Sequence, residues 1–414
     1  MKPTTASILF LFLVAAEVHA ASTGDWPQWR GPNRSDISKE SGLLKTWPEG
    51  GPKRVWLFKD TGLGYAGPAI VGGKLFTMGI RTNGEDLIAV DAKEGKELWA
   101  SKMGEVLKND WGDGPRGTPA VDGDRVYAMS GRGDLVCANV ADGKILWQRT
   151  MREFGGKTPG WGYTESVLVD GNKVVCTPGG DKGAIVALDK KTGEPLWQSK
   201  DFTDGAQYAS IIAADHNGAR QYIQITMQHV VGVSAADGKT LWTADWPGKT
   251  AVIPTPIFHD GNVFVTAGYG AGCMMVQVGA NNAVSGGYTN TVMMNHHGGV
   301  ILVDGHLYGH SDKGGWVCQD FKTGEAVWSE KTALGKGAIG YADGMFYCMA
   351  EKDGTVVLID ASTKGWKEHG RFKLDPQTTQ RSPSGRIWTH PVITGGRLYL
   401  RDQELLSCYD VKAP

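Results

Sequence analysis

Tyr65, Arg116, Glu165, Tyr208, His297, Lys336, Trp388 and His390 could share one piece of chemistry if the fold brings them together. Three rings for stacking, two cations, a carboxylate and two imidazoles are the makings of a small-molecule pocket. Such pockets combine aromatic walls with a few convergent polar groups. The local motifs offer no competing chemistry. His306 and His310 lie around a hairpin, and four residues along a strand span about 13 Å, too far for one metal ion. His296 and His297 are adjacent and face opposite ways if extended, so no metal site is predicted. Gly268-Tyr269-Gly270-Ala271-Gly272 follows a strand but opens no helix, and a dinucleotide fingerprint needs that helix. His310-Ser311-Asp312 are sequence neighbours and cannot form a triad by themselves. Arg132-Gly133-Asp134 fills a turn. No catalytic residue is assigned.

A repeat would position the eight. Residues 118–147 read as three and a half apolar strands joined by short turns. Asp-Gly between apolar runs signals a type I′ hairpin, which needs positive φ at both central residues. The same turn recurs at Gly72-Gly73, Asp122-Gly123, Asp170-Gly171, Asn217-Gly218, Asp260-Gly261, Asp304-Gly305, Asp343-Gly344 and Gly395-Gly396. These spacings, 39 to 52 residues, are those of propeller blades. Trp99, Trp147, Trp197, Trp242 and Trp328 follow their turns by 24 to 27 residues. The prediction is an all-β, eight-bladed propeller of four-stranded antiparallel blades, with each of these Trp on an outer strand docking against the next blade. After the eighth turn the chain has no room for an outer strand. Arg54–Phe58, with Trp56, is predicted to close the last blade. The segments before the inner strands then meet at one mouth of the channel. They supply the eight residues above, with Trp111, Trp161, Tyr163, Gln207, Thr255 and His296.

Residues 1–20 read as a secretory signal: Lys2, an apolar core from Ile8 to Ala16, and a small-residue site at Val18-His19-Ala20. Residues 21–53 form an arm without periodicity, whose Trp26 and Trp29 are expected to pack on the side of the propeller, and 54–414 form the propeller. Repeat five is degenerate where its Trp is due, at Asn281 to Gly287, and Glu368 to Arg386 reads as a polar insertion in a loop. Lys and Arg number 43 against 44 Asp and Glu, a net charge of −1, which gives no field for nucleic acid. Cys137, Cys318 and Cys408 occupy equivalent third-strand positions in separate blades, too far apart for disulfides. All six cysteines are read as core residues. The expectation is a periplasmic or secreted monomer, with no membrane span after cleavage, that meets an envelope protein or a small-molecule ligand.

Ala187 to Trp197 (Ala-Leu-Asp-Lys-Lys-Thr-Gly-Glu-Pro-Leu-Trp) resembles the tryptophan-docking repeat of quinoprotein-type propellers, the PQQ repeat. Val90 to Trp99, Val140 to Trp147 and Gln319 to Trp328 are further copies. With Trp26-Pro27-Gln28-Trp29-Arg30-Gly31-Pro32 and Asn295 to Gly299, the whole chain looks like the secreted, planctomycete-type members of that family. The resemblance implies the propeller fold. It is divided on activity, because the family includes quinone-dependent alcohol dehydrogenases and the non-catalytic propeller lipoprotein of the outer-membrane β-barrel assembly machinery. A dehydrogenase would need pyrroloquinoline quinone with Ca²⁺, and such enzymes usually carry adjacent cysteines. This sequence has neither a Cys-Cys pair nor a Cys-x-x-Cys-His haem site. The expectation is therefore a non-catalytic binding propeller without a cofactor. The alternatives are a quinone-dependent dehydrogenase and, on the aromatic rim alone, a polysaccharide hydrolase or lyase.

Overall fold

The computed structural model describes residues 24–414, so the signal read at 1–20 lies outside the described residues. Eight antiparallel sheets of four strands form the ring, and the described residues contain no α-helix. The innermost strands are Ala69–Val71, Ala120–Asp122, Leu168–Asp170, Ile212–His216, Ile257–His259, Val300–Val303, Gly337–Ala342 and Val392–Thr394. Arg54–Phe58 is the outer strand of blade 8, with Trp56 opposite Cys408. A strand that precedes blade 1 thus completes blade 8 and closes the ring.

Six of the first hairpins have positive φ at both turn residues, for example Asp304 (48°) and Gly305 (75°). In blades 2 and 3 the turn shifts by one residue. Asp122 and Asp170 end the strand, and Gly123 and Gly171 take the first central position with φ of 59°. That is the glycine a type II′ turn requires.

The docking tryptophans act through the turn between strands three and four of the next blade. Trp56, Trp99, Trp147, Trp197 and Trp328 donate Nε1–H to Ala92, Val140, Lys190, Ala235 and Ser362 carbonyls at 2.9–3.3 Å. In four of these turns a glycine (Gly95, Gly143, Gly193 or Gly238) lies so close to the ring that a Cβ would clash. Trp242 behaves differently: its Nε1–H bonds Gln221 of its own blade at 2.6 Å. Blade 5 carries Asn282 where the others carry that glycine. Tyr288 replaces the missing tryptophan of blade 5, donating to the Phe321 carbonyl at 3.1 Å with its ring on Gly324. Trp147 is only half-buried, so Trp147→Ala is expected to cost about 2 kcal/mol, below the 3–5 kcal/mol of a fully buried Trp. Urea denaturation measures this. A change within about 0.5 kcal/mol, the range of inert surface substitutions, would show that the docking is decorative.

The arm does not lie on the outside of the ring. It runs through the channel and touches every innermost strand or the residues flanking it. Trp26 exchanges backbone hydrogen bonds with Ile70 of blade 1 (2.7 and 2.8 Å), and Val121 of blade 2 donates to Pro27. Arg34 reaches the carbonyls of Val167 and Ile211 beside blades 3 and 4. Trp29 donates to Thr255 before blade 5 (2.9 Å) and Arg30 to Val300 of blade 6 (2.5 Å). Ile37–Ser38 adds a parallel strand to blade 7. Glu40 caps the Gly395 and Gly396 amides of blade 8. Further along, Trp47 wedges between blades 7 and 8 against Tyr347 and Phe372.

Glu368–Arg386 is not all loop. Glu368–Lys373 forms the outer strand of blade 7, pairing antiparallel with Thr355 to Ile359. The residues after it cross the channel mouth. All six cysteines are free and buried.

Candidate functional site

The mouth opposite the Asp-Gly hairpins opens into a cavity of about 450 Å³. Trp29 and Arg30 of the arm form its floor, so the channel is a blind cup. Tyr65, Trp111, Arg116, Trp161, Tyr208, His296, His297, Lys336, Trp388 and His390 wall it, with Thr164, Ser166, Ser210 and Thr255 between them. The rings form a connected belt. Tyr65 lies 4.9 Å from Trp388, Trp161 5.3 Å from Tyr208, and Trp111 6.5 Å from both Trp161 and Trp388. Trp29 meets His390 at 4.5 Å.

The charged groups lie mainly along blades 6 to 8. His297 donates Nε2–H to Glu351 at 2.8 Å, and Trp388 donates to the same carboxylate oxygen at 3.2 Å. Burial alone would raise the Glu351 carboxyl. The His297 hydrogen bond and the nearby Lys336 charge hold it below its ordinary value. Burial pushes His296 down to about 3, and the neighbouring His297 and Lys336 add to this. His296 is therefore neutral and its Nδ1 accepts from the Lys336 ammonium. Lys336 also pairs with Asp312 at 3.1 Å. Below them His390 bonds the His297 carbonyl (2.9 Å) and Asp36 of the arm (3.0 Å), and Asp36 binds Arg30 at 2.6 Å. A hydrogen-bonded chain thus joins the cup wall to its floor.

Of the eight residues singled out in the sequence, seven line this cavity. Glu165 does not. It is buried behind the wall, accepting from Thr177 N–H (2.6 Å), Thr177 Oγ1 (3.0 Å) and Gln224. Burial raises its carboxyl to about 7, with Thr177 and Arg34 opposing. Tyr163 and Gln207 also lie outside the lining, while Trp111, Trp161, Thr255 and His296 belong to it. Sequence reasoning missed the floor residues Trp29 and Arg30. It also missed Tyr269 and Glu351, which sit in turns between second and third strands, and Arg386 from the loop after blade 7. The missed signal is topological: in an antiparallel blade those turns return to the same mouth as the segments before the inner strands.

Cation-binding oxygens are scarce here. Glu351 is taken by His297 and Trp388, and Asp312 by Lys336 and the Tyr269 N–H. Among the described residues no group of three or more His, Cys, Asp or Glu is placed to hold a metal ion.

The fold and its docking turns define a PQQ-repeat propeller. Residues 83–330 match the PQQ_2 family model, described as outer membrane protein assembly factor BamB, and the chain belongs to that family. Solved structures agree on the fold. BamB from Moraxella catarrhalis matches with a TM-score of 0.57 at 15% identity, over 87% of this chain and 97% of that one. Quinohemoprotein alcohol dehydrogenase from Comamonas testosteroni matches with a TM-score of 0.64 at 12% identity, over 96% of this chain and 82% of that one. No curated protein sequence matches the chain significantly. At these identities the likeness carries the architecture and no activity.

Proposed function

We propose that the protein is an exported, non-catalytic propeller whose channel mouth binds a small organic ligand. The observation that carries this reading is the floor. Trp29 and Arg30 close the channel and turn an aromatic ring of side chains into a blind cup of small-molecule size. Export rests on the signal-like 1–20 segment and suits a family whose description names an outer membrane assembly factor. A protein partner would have to insert a segment into the cup. The quinone reading finds stacking faces and cations in the wall, but the calcium that accompanies that cofactor does not fit the donor set.

Because Trp29, Trp111, Trp161 and Trp388 line the cup, a ligand in it is expected to quench tryptophan fluorescence. Screening a panel of sugars, aromatic carboxylates and nucleotides should find a binder whose affinity falls about tenfold or more in Trp388→Ala, a loss of about 1.4 kcal/mol, while the fold melts normally. A panel that neither quenches nor binds in calorimetry overturns the cup reading. So does dye-linked alcohol oxidation on adding the quinone with Ca²⁺.

A further inference from the structure

Two arginines on the cup wall have no ion-pair partner, although Glu85 and Asp113 act on Arg116 from beyond pairing distance. The other cations there are paired: Arg30 with Asp36 at 2.6 Å and Lys336 with Asp312 at 3.1 Å. Among the described residues, neither Arg116 nor Arg386 has a carboxylate within ion-pair distance. Arg116 donates Nη2–H to the Gly112 carbonyl (2.7 Å), and its buried Nε has no partner. Its guanidinium lies 5.0 Å over the Tyr65 ring. Arg386 donates only to the carbonyls of Pro383 and Gly385. Gly385 sits against the Tyr65 hydroxyl so closely that a Cβ would come within 2.8 Å. The segments carrying both arginines therefore converge on one tyrosine. Partly desolvated cations without a counter-charge are costly unless something anionic arrives. A planar guanidinium fork binds a carboxylate or a phosphate bidentately, and a carboxylate is the smaller group for this cup.

The rings indicate the rest of the ligand. Trp111 is 47% exposed at the lip. It meets Trp161 at 81° and Trp388 at 42°, Tyr65 meets Trp388 at 40°, and Trp161 meets Tyr208 at 38°. None of these neighbouring faces is parallel, so together they form stepped platforms and not one continuous flat wall. Tilted platforms stepping from lip to floor suit puckered rings that turn relative to one another. Each such ring lays an apolar C–H face on an indole by dispersion and apolar burial.

We propose that the cup takes the end of an acidic oligosaccharide, with pyranose rings stacked on Trp111 and Trp388 and a uronate carboxylate held by Arg116 and Arg386. This rests on the small-ligand reading of the cup and names its ligand class. The test is calorimetry of the full-length mature protein with oligogalacturonate, the matching neutral oligogalactose, and naphthalene dicarboxylate as a flat anion. The uronate is expected to bind at least about tenfold more tightly than the neutral sugar, since a charge-assisted hydrogen bond contributes that much. Arg116→Gln and Arg386→Gln should each remove most of that preference. Arg116→Lys should retain part of it, and Trp388→Ala should weaken both sugars alike. The inference is overturned if the neutral sugar binds equally well, if the arginine variants keep the preference, or if no sugar binds at millimolar concentration. If the flat dicarboxylate alone binds and Trp388→Ala abolishes it, the cup reading stands and the sugar inference falls. If none of the three binds, the sugar inference falls, and the cup reading stands or falls with the wider panel.

Discussion

A chain lacking residues 21–58 is expected to have no cooperative melting transition and no near-UV dichroism from ordered aromatics. Three separate supports go at once. Blade 8 loses its outer strand, and Leu405–Asp410 becomes an open edge. The seam between blades 7 and 8 loses Trp47, which fills it against Tyr347 and Phe372. The channel loses the arm that links all eight blades, including Trp26, which is 2% exposed. Truncating one buried tryptophan costs about 3–5 kcal/mol. Two of them, with the strand and the buried Arg30–Asp36 pair, match or exceed the 5–15 kcal/mol that holds an ordinary domain folded. A shorter deletion, residues 21–42, separates the supports. It keeps Trp47 and the closing strand, so it should melt cooperatively but at lower temperature, and the ligand cup should lose its floor. A chain without 21–58 that melts within a few degrees of the full-length protein would remove the arm from any structural role.

The ring was legible because its signals are local. A hairpin turn and its glycine sit within a few residues of the strands they join, and the blade repeats them. Even so, Asp122 and Asp170 mislead by one position, since the sequence Asp-Gly does not say which pair of residues forms the turn. The arm was opaque for the opposite reason. Trp26, Arg30 and Arg34 find their partners in the blades 44 to 270 positions away and follow no period. The site shows the same division. Seven wall residues could be placed once the blades were counted. Glu165 faces the wrong way because side chains alternate along an extended segment: Thr164 and Ser166 face the cup, and Glu165 between them faces the core. Direction within a rim segment depends on where the strand register begins, which composition does not reveal.

Asp36→Asn is expected to destabilise the protein by about 3–5 kcal/mol at neutral pH, the cost of leaving a buried charge unpaired. The Asp36 carboxylate joins Arg30 Nε at 2.6 Å and His390 Nδ1 at 3.0 Å in the floor of the cup, where all three side chains are at most 3% exposed. Removing its charge leaves the Arg30 guanidinium with only the carbonyls of Ser35 and Val300. With an unfolding entropy of about 2 cal/mol/K per residue, Tm should fall by roughly 4–6 °C. The pH dependence gives an independent check. Burial would raise the Asp36 carboxyl, but Arg30 and then His390 more than offset it and hold it below 3.8. A carboxyl depressed on folding stabilises the native state above its unfolded pKa, and that contribution is lost as pH falls through the folded value. The gap in stability between wild type and Asp36→Asn should therefore narrow as pH falls below about 4, the ordinary carboxylate value, and vanish only as pH passes through the lower folded value. A gap that persists unchanged at pH 3, or a variant as stable as wild type at pH 7, would mean that the floor of the cup is held by the arm's backbone and not by this ion cluster.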